Sequence, residues 1–161
     1  MVMIDESLFR IVLENLINNA INYTQQGGAI KIECVEVKKK EKIGGKIITE
    51  DCFVIMISDN GCGILKSQQN KIFTKFFRAD NTKSEHPDGT GLGLYVVKSI
   101  LENSGGLIWF ISPSSLVSTQ ASSTTARQTC QNQQQNKGTT FYVMIPIKGM
   151  RDKTGEGQLI S

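Results

Sequence analysis

The sequence lacks any uninterrupted apolar run of about 18 residues, the length that a membrane-spanning helix needs. Residues 1–7 contain Asp5 and Glu6 and lack the basic and apolar regions of a signal peptide. The four cysteines form no Cys-x-x-Cys pair, and His86 is the only histidine, so no metal spacing is present. Reduced thiols in a cytoplasmic protein are the simplest interpretation.

A strong net charge is also absent. The chain of 161 residues has 18 basic and 15 acidic side chains, which gives a net charge of only +3. We therefore expect no nucleic-acid partner and no direct insertion of this segment into a membrane. The length suits one domain of ordinary size with a real core.

Apolar periodicity predicts an α/β domain. Helical patterns cover residues 5–23, 68–77 and 92–103. Strands are predicted at 29–37 (half-buried), after Gly44-Gly45, at 52–58 (covered on both faces), at 107–111 and at 140–147. We expect a two-layer sandwich, in which a mixed, mostly antiparallel sheet of about five strands carries about three helices on one face.

Polar segments interrupt this pattern. Residues 38–51 are rich in lysine and predict a solvated hairpin. Residues 112–137 are rich in Ser, Thr, Gln and Asn and predict a disordered insertion, while 79–88 predict a mobile loop. We therefore expect one domain over 1–148, followed by a disordered tail over 149–161.

Two amides lie on one face of the first predicted helix. Asn15 and Asn19 are four residues apart, so their side chains stack along the helix. Amide oxygens are hard ligands of the kind that Mg²⁺ prefers, with phosphates and waters in the same shell. A solvated polar face, or an asparagine that ends the helix, would give the same pattern.

A carboxylate follows the buried strand predicted at 52–58. Asp59 precedes Asn-Gly-Cys-Gly, and a carboxylate there can accept from the exocyclic amine of adenine. Gly61 and Gly63 would let the backbone approach the ring. The alternative is a simple turn, because Asp-Asn-Gly is also favourable turn chemistry.

A glycine-rich segment over residues 89–94 opens the last predicted helix. Exposed amides at a helix N-terminus form an anion site, and glycines let phosphate oxygens come close. The spacing fits neither a P-loop nor a dinucleotide fingerprint. The alternative is a loop hinge, which beside a nucleotide would make a lid.

Taken together, these elements resemble the catalytic and ATP-binding domain of sensor histidine kinases, in the superfamily with gyrase, Hsp90 and MutL. The resemblance covers about residues 5–148 apart from the inserted loops, and it implies the Bergerat fold of that superfamily. The matching segments are 13–24 (N box), 59–63 (G1 box), 72–78 (F box), 89–94 (G2 box) and 138–141 (the closing glycine/threonine motif).

The resemblance implies ATP and Mg²⁺ as ligands. Asn19 would coordinate the metal and Asn15 would lie nearby on the phosphates. Tyr23 would stack against adenine and Asp59 would read its amine, supported by Thr139 or Thr140.

The same resemblance assigns the transfer step. Arg78 would reach the transferring phosphate, because a guanidinium suits charge spread over equatorial oxygens, and Asn15 is the second catalytic candidate. Phe76 and Phe77 would anchor the hinge of the lid. The other implied nucleotide contacts are Gly61, Gly63, Ile64, Phe77, Lys83, Gly89, Thr90, Gly91, Leu92, Gly93 and Leu94.

Two departures from the family pattern stand out. The family often has a lysine beside the phosphates at the position of Asn22, so its absence leaves Lys83 or Arg78 to supply that charge. The insertion over 112–137 is also much longer than the usual turn.

The residue at position 15 distinguishes the ATPase branch of the superfamily from the kinases. The ATPases need a general base, usually a glutamate, at the position of Asn15, and asparagine cannot take a proton. Glu14 is next to it, but one residue turns a side chain about 100° around the helix. A kinase needs less, because phosphoryl transfer depends mainly on positioning and charge stabilisation.

The resemblance therefore implies transfer to a histidine on a dimerisation and histidine phosphotransfer domain, with a response regulator downstream. We expect that domain to be absent from this chain, because His86 lies in the lid before Pro87, where no helix is favoured. A stand-alone anti-sigma-type serine kinase is the alternative, and an inactive nucleotide-binding scaffold is the second alternative.

Overall fold

The structure is a computed structural model that describes residues 5–78, 90–113 and 138–148. The expected mobile loop over 79–88, the body of the expected insertion and the expected tail therefore lie outside the described residues. The elements follow one another as α1 (Glu6–Tyr23), β1 (Ile30–Val37), β2 (Lys42–Ile43), β3 (Lys46–Ile47), β4 (Cys52–Asp59), α2 (Gly93–Asn103), β5 (Leu107–Ile111) and β6 (Thr139–Pro146).

Helix α1 begins at a side-chain cap. The Asp5 carboxylate accepts from the backbone amides of Ser7 (2.9 Å) and Leu8 (3.0 Å), which satisfies two of the unpaired amides of the first turn. Its inward stripe is Val12, Leu16 and Ala20. The helix predicted over residues 5–23 is confirmed. Among the described residues, neither helix combines the length and apolarity needed to cross a membrane.

The main sheet has the order β1-β4-β6-β5, and every neighbouring pair is antiparallel. The expected two-layer α/β fold is confirmed. In the described part of the chain the main sheet has four strands and is wholly antiparallel, rather than mixed with about five strands, and two short strands form a separate hairpin. The register places Asp59, the last residue of β4, opposite Ile30 on one side and Thr139 on the other. This register brings the start of β6 to the candidate site.

Strand β1 is more exposed than expected. It lies at the edge of the sheet with β4 as its neighbour, and its apolar side chains Ile30, Ile32 and Val35 are 38%, 52% and 37% exposed. Alternation in the sequence predicted a half-buried strand, but an edge position gives its side chains fewer neighbours.

Both helices pack on one face of the sheet, as predicted. Val97 and Leu101 of α2 are fully buried, and so are Val12 and Leu16 of α1. They share one core with apolar side chains from three strands, namely Ile57, Ile108, Phe141, Val143 and Ile145.

The β2–β3 hairpin lies on the opposite face of the sheet, where Ile43 packs against a second apolar cluster that includes Trp109 and Tyr142. Its lysines, Lys42 and Lys46, are exposed, as expected for a solvated hairpin. The Trp109 and Tyr142 rings stack beneath it, with centroids 5.1 Å apart and an interplanar angle of 7°. The Trp109 indole N–H donates to the Gly44 carbonyl oxygen at 2.9 Å, and the Lys46 ammonium lies 5.5 Å from the Trp109 ring centroid. The lysine-rich composition of residues 38–51 gave no indication that the turn of this hairpin packs on the Trp109 and Tyr142 rings.

We expect Gly44→Ala to destabilise the domain more than Gly45→Ala does. Both glycines have positive φ (+54° and +77°), but an added Cβ at Gly44 would lie 2.7 Å from Trp109 Nε1, whereas the space around Gly45 is open. Overpacking of this kind costs about 1–3 kcal/mol beyond the backbone strain that the two variants share. Urea unfolding followed by the fluorescence of Trp109, the single tryptophan, measures the difference. Equal free energies of unfolding would contradict the docking of the hairpin.

The helix predicted over 68–77 is wrong, so the described residues contain two helices rather than about three. Separate turns replace it, and each is closed by a hydrogen bond between residues three positions apart. Examples are the Lys71 N–H to the Gln68 carbonyl (2.9 Å) and the Thr74 N–H to the Lys71 carbonyl (2.9 Å). The Thr74 hydroxyl also donates to the Lys71 carbonyl oxygen (2.7 Å), and Phe76 has a positive φ of 61°. These local bonds compete with a continuous helix.

Candidate functional site

A buried carboxylate lies at the end of β4. Asp59 is only 5% exposed, and its Oδ1 accepts from the backbone amides of Gly61 (2.9 Å) and Thr139 (3.2 Å). Within the described residues no group donates to Oδ2. One oxygen of the carboxylate is therefore held by the protein, and the other is left for a donor on a ligand.

Burial governs the charge of this carboxylate. It raises the pKa of Asp59 from 3.8 to about 6, although the two backbone amides act in the opposite direction. Asp59 is thus mainly ionised at neutral pH and is a strong acceptor in a poorly solvated place.

The C-terminal end of α1 lies directly against the loop that follows Asp59. A Cβ added at Gly61 would lie 2.0 Å from the Tyr23 carbonyl oxygen, and the Cys62 amide donates to that same oxygen at 3.3 Å. Glycine at position 61 was predicted to admit a ligand ring, but in the structure it admits the backbone of α1. Gly63 follows with a positive φ of 69°.

The other end of the site lies where α1 meets the start of α2. The Asn15 Nδ2 amide donates to the Ile11 carbonyl oxygen at 2.8 Å, which orients the side chain. A Cβ added at Gly93, the first residue of α2, would lie 2.6 Å from Asn15 Oδ1. A side chain at position 93 would therefore displace the Asn15 amide from the start of this helix.

Within the described residues, no side chain caps the first turn of α2. Its N-cap residue, Leu92, offers no side-chain acceptor to the helix amides, in contrast to Asp5 at the start of α1. The Leu92 amide has a long contact of 3.4 Å to the Thr90 hydroxyl. Uncapped amides and the helix dipole make this end of α2 suitable for an anion.

Gly91 brings the start of α2 against the end of the turn segment. It has a positive φ of 68°, and an added Cβ would lie 2.8 Å from the Phe76 carbonyl carbon and 3.0 Å from the Phe77 carbonyl oxygen. Residues 76–77 and 91 therefore meet, although the residues between 78 and 90 lie outside the described part. Phe76 itself is 71% exposed, whereas Phe77 packs against the core shared by both helices.

Helix α1 sets the distance between the two ends of the site. Asn15 and Tyr23 are eight residues apart on one helix, which corresponds to about 12 Å at 1.5 Å per residue. This separation is comparable to the reach from the base to the phosphates of a nucleotide. Helix α1 thus separates the end that holds the Asp59 acceptor from the end where the start of α2 suits phosphates.

The remaining predicted residues occupy places around this frame. Asn19 is half-buried one turn beyond Asn15, and Arg78 is half-buried at the end of the turn segment. The buried Thr140 hydroxyl donates to the Ser58 hydroxyl at 2.9 Å, so Thr139, through its backbone amide, is the residue that contacts Asp59. Lys83 and Gly89 lie outside the described residues, as does His86. Ile64 and Leu94 line the core shared by both helices.

Sequence reasoning missed two residues that contact the Asp59 loop. The Ser112 hydroxyl accepts from the Ile64 amide at 2.8 Å, and the Gln69 side-chain amide donates to the Ile64 carbonyl oxygen at 3.0 Å. Ser112 was counted as the first residue of the insertion, and Gln69 as part of a helix. Neither has a pattern in the sequence that marks it, because its partners are 48 and 5 residues away.

Deleting residues 114–135 should leave the fold and the ATP affinity unchanged. The Ser112 hydroxyl lies 3.1 Å from the Gly138 carbonyl oxygen, so the two strand ends already meet and a hairpin-sized connection can join them. Circular dichroism and calorimetric titration with ATP test this. Loss of cooperative unfolding in the deletion variant would show that the segment contributes to the core.

The chain, with both described helices on one face of an antiparallel sheet, matches a family model. The model, described as histidine kinase-, DNA gyrase B-, and HSP90-like ATPase, matches residues 4–149. The chain belongs to this family, which implies that it binds ATP.

Similar sequences include sensor proteins and sensor histidine kinases. The sensor protein IrlS of Burkholderia pseudomallei is 38% identical over 102 residues, which are 63% of this chain. The sensor histidine kinase WalK of Bacillus subtilis is 33% identical over 106 residues, or 66% of this chain. The matched regions are only 19% and 16% of the lengths of these two relatives.

Solved structures give the same fold. The catalytic domain of histidine kinase ThkA, in a nucleotide-free form, has a TM-score of 0.59 and 26% identity and covers 91% of this chain and 70% of its own. The mycobacterial sensor histidine kinase MprB has a TM-score of 0.62 at 21% identity, over 90% of this chain and 80% of its own, and supports the fold alone. The predicted resemblance to the catalytic and ATP-binding domain of sensor histidine kinases is confirmed.

Proposed function

We propose that this domain transfers the γ-phosphoryl group of Mg-ATP to a histidine on a separate dimerisation and histidine phosphotransfer domain. One observation carries the proposal: an amide, Asn15, occupies the contact between α1 and the uncapped start of α2. A general base for water would have to stand at this contact, and an amide cannot take a proton. Glu14, the neighbouring carboxylate, is exposed.

At the base end, Asp59 reads the exocyclic amine of adenine through Oδ2. The Gly61 and Thr139 amides hold Oδ1, which keeps the carboxylate oriented toward the ligand. Tyr23 stacks against the ring from the end of α1, and Thr140 supports the strand behind Asp59 through Ser58.

At the phosphate end, the first-turn amides of α2 bind phosphate oxygens. Gly91 and Gly93 keep this approach free of side chains, and residues 89–94 together with Lys83 provide the remaining contacts. The donor set fits Mg²⁺ at Asn19, since a neutral amide oxygen leaves the negative charge to the phosphates. The metal would supply charge neutralisation on those phosphates.

Arg78 stabilises the transferring group. The bond between the γ-phosphorus and the bridging oxygen breaks, a bond from the acceptor imidazole nitrogen to phosphorus forms, and ADP leaves. The proton on the other imidazole nitrogen passes to a base on the acceptor domain. In the transition state charge is spread over the equatorial oxygens, and a guanidinium offers five N–H donors to it. The phosphoryl group next passes to a response regulator. We place these steps in the cytoplasm, where ATP is available.

Labelled transfer tests the proposal. The domain is mixed with Mg²⁺, ATP labelled on the γ-phosphate and a purified histidine-bearing dimerisation domain from the same kinase. We expect acid-labile label on that acceptor and none on the catalytic domain alone. An acceptor with its histidine replaced by alanine is the control.

The same assay separates the two alternatives. Acid-stable label on a serine-bearing protein partner, without label on the histidine acceptor, would indicate the anti-sigma-type serine kinase. ATP binding without transfer to either acceptor would indicate an inactive scaffold.

A further inference from the structure

The Ser112 hydroxyl uses its one donor and both of its acceptor positions in hydrogen bonds to groups around Asp59. It accepts from the Ile64 amide (2.8 Å) and from the Thr139 hydroxyl (3.4 Å), and it donates to the Gly138 carbonyl oxygen (3.1 Å). A hydroxyl offers one donor and two acceptor positions, so all three are used. Ser112 thereby joins the end of β5, the start of β6 and the loop that follows β4.

These bonds lead to both amides that hold Asp59. The Gly138 amide donates to the Gly61 carbonyl oxygen at 2.8 Å, and the Gly61 amide donates to Asp59 Oδ1. Thr139, the second donor to Oδ1, follows Gly138 directly in the chain. Fixing Gly138 therefore fixes the two donors together.

Gln69 closes the network from the opposite side. Its Nε2 donates to the Ile64 carbonyl oxygen (3.0 Å) and to the Ser112 carbonyl oxygen (2.8 Å). The turn segment is thereby tied to the same two residues that Ser112 connects. Partners that satisfy one another in this way make the arrangement rigid.

We propose that Ser112, assisted by Gln69, is a positioning residue that holds the Gly61 and Thr139 amides on Asp59 and so fixes the carboxylate that reads the base. The reading of the base rests on the proposed function above, whereas the positioning of Asp59 is measurable without nucleotide.

A consequence for the charge of Asp59 makes the positioning observable. Burial raises the pKa of Asp59 to about 6, and the two amides oppose this rise. No charged side chain of the described ranges contributes to the shift. Loosening the amides should therefore raise the pKa of Asp59 further.

The experiment is an NMR titration of the Asp59 carboxyl carbon in the nucleotide-free domain, paired with calorimetric ATP titrations at neutral pH. In Ser112→Ala we expect a higher Asp59 midpoint and an ATP affinity about three- to tenfold weaker, the scale of one lost hydrogen bond. Ser112→Thr keeps the hydroxyl and should restore both values. Gln69→Ala should shift the midpoint in the same direction by less, and it serves if Ser112→Ala does not fold.

A matched control separates positioning from general stability. Ser104 is a buried serine at the C-terminal end of α2, away from the Asp59 loop, and Ser104→Ala should leave the Asp59 midpoint unchanged. Loss of thermal stability in Ser112→Ala with an unchanged midpoint would overturn the inference. If instead the midpoint moves but neither Ser112→Ala nor Asp59→Ala weakens ATP binding, the positioning stands and the base-reading role fails.

Discussion

Replacing Arg78 with alanine should slow phosphoryl transfer about 100-fold or more and leave ATP affinity unchanged. Arg78 lies at the end of the turn segment, next to Phe77, whose carbonyl oxygen lies against Gly91 at the start of α2. A guanidinium there acts on charge that develops only as the phosphoryl group moves. Single-turnover transfer at saturating ATP measures the rate, and calorimetry measures the affinity.

Two variants sharpen this prediction. Arg78→Lys keeps the charge but loses the planar fork of donors, so its rate should fall between those of the wild type and Arg78→Ala. Arg10→Ala removes an exposed arginine that pairs with Glu6 at 3.2 Å, and it should change neither quantity. An equal loss of rate and affinity in Arg78→Ala would mean that Arg78 holds the ground state only.

Replacing Asp59 with alanine should weaken ATP binding by about 2–3 kcal/mol, the scale of a lost hydrogen bond to a charged group. The variant removes a carboxylate that is buried and whose Oδ1 is held by two backbone amides. Asp51→Ala is the matched control, because Asp51 also accepts from a backbone amide (Lys39, 2.9 Å) but lies outside the site. Calorimetric titration gives both affinities. An unchanged affinity in Asp59→Ala would refute its role.

The raised pKa of Asp59 adds a pH dependence to the same prediction. The ionised carboxylate is a stronger acceptor than the protonated carboxyl, so ATP affinity should fall as the pH drops through about 6. Asp59→Asn should lack this step, and comparing the two proteins at each pH cancels the titration of the nucleotide itself.

The free energy of unfolding should depend on pH in the opposite sense to the ATP affinity: it should rise, not fall, as the pH drops through about 6. The pKa of Asp59 is raised on folding from 3.8 to about 6, so its contribution to stability is present below pH 3.8 and is lost as the pH rises through about 6. The ionised state that binds ATP is therefore the state that costs folding free energy. Thermal unfolding of the wild type and Asp59→Asn across this range measures the difference.

The local elements and the order of the motifs could be predicted from the sequence. Helix α1 and strands β4 and β5 follow from apolar periodicity, which depends on residues close together in the chain. The choice of Asp59, Asn15 and Gly93 as candidates came from the same kind of local pattern.

Other features depend on partners that are distant in the chain. The antiparallel order of the strands, the docking of the hairpin on Trp109 and the contact of Gly61 with Tyr23 join segments that periodicity treats separately. The position of Gln69 belongs here too, because its side chain bonds to Ser112, 43 residues away, whereas the helix predicted over 68–77 is interrupted by local bonds.

The sequence by itself therefore determined which side chains are available for binding a nucleotide and which local element carries each one. Only the tertiary structure decided their surroundings: the burial that raises the pKa of Asp59, the two amides that hold it, and the Ser112 network behind them. The physical reason is that a periodic pattern records whether a position is buried, whereas pKa and orientation depend on which groups bury it.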